Sequence, residues 1–298
     1  MNAERAAFDT PLREVVPGVL MKFECDNPGG SHKARAARRV IEEAVQSGQV
    51  VPGKTIVVEK TGGNFGFGLA VACHALGTEV ELAVGLGFSA VKRRCLEVFG
   101  ARLIGVDMLE QGATPKEVVE WRLSEASRDG VSCFYTDQFS NAASVKAHEF
   151  ETGREMVEQL RQWPQVQALT FVACAGTGAS LTGVARALRA AHDEVNCVLV
   201  EPEGCNASTG AFAEHAFEGM SVGVAPPFLD WQQVQDHRTV TFDAAMETRR
   251  RFCQRTGYFV GNTTAACLTV AMQLAKRLPD GHKVILLFYD HGLWYLPA

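Results

Sequence analysis

Three short stretches of this chain combine glycine with residues able to hold an anion or move a proton. Gly176-Thr177-Gly178-Ala179-Ser180 follows the apolar run ALTFVACA and precedes a helical pattern. A strand-to-helix turn of this kind aims backbone N–H groups and a positive helix terminus at an anion, with Thr177 and Ser180 adding hydroxyl donors. A phosphate suits such a turn, a dinucleotide is the rival, and a purely structural turn is the third reading. Glu201 ends the next strand at about the distance of a ribose-binding acid, but the third glycine of the dinucleotide fingerprint would fall on Leu181.

The second stretch, Glu24-Cys25-Asp26-Asn27-Pro28-Gly29-Gly30-Ser31-His32-Lys33, ends with a lysine at a helix start. The chain has nine lysines, and one set against a positive helix terminus is biased toward its neutral, nucleophilic form. A Schiff-base lysine uses that form; the competing reading is an ordinary surface lysine. The third stretch, Glu59-Lys60-Thr61-Gly62-Gly63-Asn64-Phe65-Gly66, is another strand-to-helix turn. Amides of Thr61, Gly62 and Gly63 could wrap a carboxylate, and the Asn64 amide could bond a phenolic or carbonyl oxygen. Glycines that merely let helix and strand pack closely are the alternative.

Positioning these turns requires strands followed by helices, and the sequence supplies them. Runs at 55–60, 80–85, 102–107, 168–175, 196–202 and 283–290 are apolar on both faces, the pattern of buried parallel strands. Helices are expected at 33–47, 65–76, 90–99, 115–128, 144–162, 180–191 and 263–278, several opened by Ser, Thr or Pro. Alternation of the two implies right-handed βαβ units in doubly wound sheets. The two glycine-rich turns lie far apart, so two sheets, each with its own switch point, would place a ligand in a cleft between lobes. The stretch from about 203 to 240 is the most irregular and is expected to carry ligand-facing loops.

At 298 residues, 47% hydrophobic and 21% charged, the chain can build a large core, and disorder and coiled coils are excluded. A net charge of −5 gives no general footprint for nucleic acid or acidic membrane. ARAARR (34–39) and ETRRR (247–251) read as solvated helix faces. Nine scattered cysteines without CxxC pairs read as reduced, structural thiols in a cytoplasmic protein. No apolar leader or membrane span is expected, and the histidines show no metal-ligand spacing, so no metal is assigned.

With these residues in view, NPGGSHKAR resembles the NPxGSxKxR segment of the fold-type II pyridoxal-phosphate (PLP) enzymes, the cysteine synthase and cystathionine β-synthase group of the tryptophan synthase β superfamily. Further blocks follow in that family's order: EKTGGNFGFGLA resembles ExTSGNTGxxLA, DQFSNAASVKAHEFETGREM resembles QFxNPxNxxxHxxxTGxEI, AGTGASLTGVARAL resembles GTGGTxTGxxxxL, and VGNTTAAC resembles GxSSGAA. The ending YDHGLWYL sits where the family writes a segment like DSGERYL.

The resemblance implies an α/β fold of two doubly wound open sheets in two lobes, with PLP in the cleft between them. It implies a larger phosphate-binding lobe from 1–35 and 143–298, a smaller mobile lobe from 36–142 carrying the carboxylate loop, and a homodimer. Lys33 matches the lysine that holds PLP and shuttles the substrate Cα proton. Gly176, Thr177, Gly178 and Ser180, with Ala179 between them, match the phosphate cup. Asn64 matches the residue at the cofactor's 3'-oxygen, Thr263 the hydroxyl facing the pyridine nitrogen, and Thr61, Gly62, Gly63 and Gln138 the grip on the substrate α-carboxylate. A neutral hydroxyl at the pyridine nitrogen leaves a weaker electron sink than an acid would, which favours expulsion of a β-substituent. The implied reaction is β-replacement on an O-activated serine or related amino acid through an aminoacrylate, with a sulfur or nitrogen nucleophile, in primary metabolism or in making a specialised amino acid. The alternatives are β-elimination, as in a serine or threonine deaminase or a desulfhydrase-like lyase, and a catalytically idle PLP-fold binding module.

Departures from the family pattern concentrate around the substrate. Gly62 stands where the family has Ser, Phe65 where it has Thr, and Ala179 where it has Gly. His32 and Ala34 replace Phe and Asp beside the lysine, and His291 and Trp294 replace Ser and Arg. Loss of a hydroxyl at Gly62 removes a donor near the substrate carboxylate, and Phe65 is expected to add bulk at the same rim.

Overall fold

The computed structural model describes residues 8–296. By contact it divides into two units, one made of the residues up to Asn27 with Val145–Leu296 and one made of Pro28–Ser144. The first crossover therefore lies before Lys33, not after residue 35, because the helix Lys33–Gln46 packs on the helix Asn64–His74.

Among the described residues the strands are, in chain order, β1 (Leu12–Val16), β2 (Val19–Lys22), β3 (Ile56–Glu59), β4 (Val80–Leu82), β5 (Arg102–Leu103), β6 (Cys133–Tyr135), β7 (Ala168–Cys174), β8 (Val195–Pro202), β9 (Asp236–Val240) and β10 (His282–Leu287). The larger unit holds a six-stranded sheet in the order β1-β2-β10-β7-β8-β9, and the smaller a four-stranded sheet in the order β5-β4-β3-β6. Every pairing is parallel except that of β1 with β2. Parallel strands covered on both faces must be apolar throughout, and β7, ALTFVAC, is buried along all but its first residue.

Several elements differ from the expectation. The N-terminal hairpin β1–β2 turns through Pro17 and Gly18, whose φ is +81°; β1 is an edge strand with exposed Arg13 and Glu14, and so lacks an all-apolar signature. The helix Phe242–Thr256, absent from the expected set, buries only Ala245 and Phe252. Its apolar stripe is too thin to read. ETRRR does lie on that helix, with Arg250 and Arg251 paired to Glu247. ARAARR does not form a uniformly solvated face: Arg38 and Arg39 pair with Glu42 and Glu43, whereas Arg35 is fully buried.

The single helix expected at 144–162 is three pieces: Ala143–Ala147, a π-helical turn His148–Gly153, and Arg154–Leu160. The π turn meets the helix Ala179–Ala191 through two glycines. A Cβ on Gly153 would stand 2.5 Å from Ala187 Cβ, and one on Gly183 would stand 2.6 Å from the Val145 carbonyl oxygen. Backbone cannot yield as a side-chain tip can, so Gly183→Ala is expected to destabilise the protein by about 1–3 kcal/mol. An unchanged urea midpoint would show that the segments separate freely.

Candidate active site

In the smaller unit, Lys33 is the first residue of its helix, entered through Gly29 and Gly30 at φ +81° and +75°. The helix start has no side-chain cap, so its N–H groups keep their positive potential beside the amine. Lys33 is half-buried and Ser31 fully buried, with the Ser31 hydroxyl lacking a hydrogen-bond partner among the described residues. Lys22 is a buried lysine too, but its ammonium is held by Glu155 at 2.7 Å and Gln159 at 3.1 Å. Lys22 is thereby held in an ion pair with a half-buried carboxylate and makes a structural contact.

Gly68 sets the distance between the lysine and the second turn. A Cβ there would lie 2.9 Å from Ala34 Cα and 3.2 Å from the Lys33 carbonyl oxygen, so the helix Asn64–His74 presses directly on the backbone of the lysine helix. Asn64 opens that helix, and Gly63 caps it without a side-chain bond. Thr61, Gly62 and Gly63 precede it, with the Gly63 amide 3.4 Å from Thr61 Oγ1.

Glu59, which the motif reading passed over, joins this loop to Gln138. Its carboxylate accepts from the Lys60 amide at 2.9 Å, the Gln138 amide at 3.1 Å and the Thr136 hydroxyl. Burial pushes Glu59 above the usual carboxylate range, although these bonds oppose the shift. Gln138 and the Thr61–Gly63 loop are thus brought together through one buried side chain. The signal was present in the sequence, as an acid at the end of an apolar strand.

Phe65 is corrected by the structure. It turns inward at 2% exposure and adds nothing to a rim. The bulk comes from elsewhere: a Cβ on Gly62 would stand 2.6 Å from Val84 Cγ1 and 2.6 Å from Phe88 Cδ2. Those side chains fill the volume that the family's serine would need.

In the larger unit, the turn Gly176–Ser180 joins β7 to the helix Ala179–Ala191, whose start is again uncapped by any side chain. Gly178 has φ +86°, and a Cβ there would lie 2.5 Å from the Leu229 amide nitrogen. A Cβ on Gly176 would lie 2.6 Å from the Gly219 carbonyl oxygen. The irregular stretch walls this turn: the Ser221 amide donates to the Ala175 carbonyl at 2.9 Å, and the Phe228 amide to the Thr177 carbonyl at 2.9 Å. Glu201 anchors that stretch through the Ala207 amide at 3.0 Å and the Ser221 hydroxyl at 3.1 Å. With its oxygens so engaged, Glu201 is not a ribose acid, and the dinucleotide reading fails.

Thr263 lies in the first turn of the helix Asn262–Ala275, and its hydroxyl bonds to none of the described residues. Its neighbour Thr264 accepts from the Tyr289 amide at 2.9 Å, and the Tyr289 hydroxyl takes the Cys174 amide at 3.4 Å. Tyr289 thereby ties the Thr263 segment to the residue that ends β7. The nine cysteines are free thiols, and burial pushes those of Cys73 and Cys197 up to about 12 and about 11.

Each unit, taken by itself, carries a group suited to one part of pyridoxal phosphate. An uncapped helix start behind glycines that admit no side chain suits a dianion, and an amine at the other helix start suits the carbonyl.

The chain matches the family model described as "Pyridoxal-phosphate dependent enzyme" over residues 4–290. It is 33% identical over 292 residues to a cysteine synthase of Staphylococcus aureus, covering 96% of this chain and 91% of the relative. It is 30% identical over 291 residues to the O-acetylserine dependent cystathionine beta-synthase of Bacillus subtilis, covering 97% and 90%. Among solved structures, O-ureido-L-serine synthase superposes with a TM-score of 0.86 at 30% identity, covering 100% of this chain and 94% of the other.

Two predictions test this geometry. Gly62→Ser is expected to lower stability by about 1–3 kcal/mol, and adding Phe88→Ala is expected to recover part of the loss, a non-additivity that a double-mutant cycle measures; additive effects would separate the two residues. Because the folded-state pKa of Glu59 is raised, the folded state binds more protons than the unfolded one above the ordinary value of 4.5. Stability measured relative to Glu59→Gln should therefore fall as pH rises from 4.5 through the raised value, and a flat difference across that window would contradict the assignment.

Proposed function

The chain belongs to the pyridoxal-phosphate dependent enzyme family, in its cysteine synthase branch, and from that premise we propose that it replaces the activated oxygen on the β-carbon of an O-activated serine with a small nucleophile. The observation that carries this reading is the placement of Lys33 at an uncapped helix start, held by Gly68 against the helix that Asn64 opens.

When bound, PLP supplies an electron sink for charge developing at the substrate Cα. Lys33 would hold the cofactor and is placed to take the substrate Cα proton. The Thr61–Gly63 amides and Gln138 bind the α-carboxylate, and Glu59 fixes the spacing between them. Gly176, Thr177, Gly178, Ala179 and Ser180 would receive the phosphate, Asn64 would bond the 3'-oxygen, and Thr263 would offer a neutral hydroxyl to the ring nitrogen. With Gly62 in place of serine, the carboxylate is gripped by main-chain N–H groups and the Thr61 hydroxyl, beside an apolar wall of Val84 and Phe88. This less polar loop favours a specialised amino acid over cysteine itself as the product. The proposed assembly is a homodimer, as the family resemblance implies, and the nine free thiols support a reducing, cytoplasmic setting.

The test combines spectroscopy with product analysis. Purified protein should show the visible absorption of bound PLP, and Lys33→Ala should alter or abolish it and lower turnover by ~10²–10⁴-fold. O-acetylserine with sulfide or an amine should yield a new β-substituted amino acid. Keto acid and ammonia formed regardless of nucleophile would establish elimination instead, and failure to bind PLP would sink the enzyme reading.

A further inference from the structure

The larger unit gathers three donor side chains that the proposed reaction does not use. Cys25 and Asp26 lie in the short 3-10 turn Glu24–Asp26, and His291 follows the last strand. A thiol sulfur, a carboxylate oxygen and an imidazole nitrogen from these residues all fall within 4.8 Å of one another. We propose that Cys25, Asp26 and His291 form a three-ligand site for a borderline-soft divalent cation, with Zn²⁺ the preferred ion.

The first support is that main-chain bonds hold both segments in place. The Cys25 amide donates to the Phe288 carbonyl at 2.9 Å, while the Phe288 ring meets the His291 ring edge-on with centroids 5.2 Å apart. On the other side, the Gly261 amide bonds the Asp290 carbonyl and the Gly292 amide bonds the Phe259 carbonyl, each at 2.8 Å. His291 is therefore pinned by both of its neighbours, and the two segments meet at the end of one strand. Ligands held on both sides in this way need little further ordering to bind a metal.

The second support is that the donors are available. The His291 ring nitrogens bond to none of the described residues, and Asp26 is solvent-exposed. The Cys25 S–H donates to Asp26 Oδ1 at 3.4 Å, so the sulfur and one carboxylate oxygen already stand side by side. Tetrahedral zinc sets its ligand atoms ~3.3–3.6 Å apart, given Zn–S near ~2.3 Å and Zn–N and Zn–O near ~2.0–2.1 Å. The three donor atoms, all within 4.8 Å of one another, would close to that spacing on binding.

Donor type selects the ion. One sulfur, one nitrogen and one oxygen disfavour Mg²⁺ and Ca²⁺, which take oxygen, and three protein ligands leave a fourth position for water on the exposed Asp26 side. Binding replaces the Cys25 S–H bond with a Zn–S bond and releases the proton to solvent, so affinity should rise with pH. The ion would brace the segment leading to Pro28 against the turn after β10. Residue spacing hid the site, since its ligands come from the two ends of the chain.

The test titrates chelator-stripped, PLP-loaded protein, free of amino acid, with Zn²⁺ against a chromophoric competitor. One equivalent per chain is expected in wild type, weakened at least ~10-fold in Cys25→Ser and in His291→Ala and retained in Cys253→Ser. Zn²⁺ should raise the unfolding temperature of wild type and Cys253→Ser only. Absence of a one-equivalent site in wild type, or its retention in both Cys25→Ser and His291→Ala, would overturn the proposal. Should Cys25→Ser fail to fold, Asp26→Asn at the exposed ligand replaces it with the same expectation, and unweakened binding there counts against the site.

Discussion

A main-chain amide grips an anion only where no side chain stands in the space the anion needs. That constraint governs both candidate anion sites. At Gly176 and Gly178 a Cβ would run into the Gly219 carbonyl and the Leu229 amide, so the walls of the turn are backbone, packed to a distance only glycine allows. At Gly68 the same freedom brings one helix against the backbone of another and sets Lys33 relative to Asn64. Much of the remaining architecture serves these approaches: β7 delivers the first turn, β3 delivers the second, and the Ala207–Asp230 stretch, held at one end by Glu201, closes over the first.

What could be read from sequence follows from this. Glycines at strand-to-helix turns, a lysine at a helix start and all-apolar strands are local features, and local features survive in a linear string. Most of the buried parallel strands were legible for that reason, although β2, buried throughout but only four residues long, was missed. β1 and β9 were not, because each is an edge strand with a polar outer side, and neither was the helix Phe242–Thr256 with its thin apolar stripe. The site shows the same divide. Lys33, Asn64 and the 176–180 turn stood out by type and neighbours, whereas Glu59, Phe88 and Tyr289 act through contacts with residues distant in sequence. Arg35 misled because a charged residue inside a basic run reads as solvated, yet it is fully buried.

The departures from the family pattern gain coherence once packing is included. Gly62 read alone is a lost hydroxyl, but beside Val84 and Phe88 it is one half of a size exchange: apolar volume arriving from the β4 side removes the room for any side chain at 62. Phe65, by contrast, is a change absorbed into the core, and its effect on substrate must be indirect. A substitution list therefore overstates some changes and misses their partners, since Phe88 belongs to none of the matched blocks.

The polar links at the end of the larger sheet suggest why the neutral position at Thr263 is tolerated. Thr264 and Tyr289 hydrogen-bond to each other and onward to the last residue of β7, so this neighbourhood is built from hydroxyls and amides, not charges. The Tyr289 hydroxyl is pushed well above its ordinary value by burial and by the neighbouring thiols of Cys174 and Cys267, and stays neutral. An acid placed at 263 would have to ionise within that buried, apolar-backed setting, where the cost of an unpaired carboxylate is large. A hydroxyl avoids that cost. On the proposed reading, in which Thr263 faces the cofactor ring, the neutral character of this position belongs to the same packing that anchors the 176–180 turn.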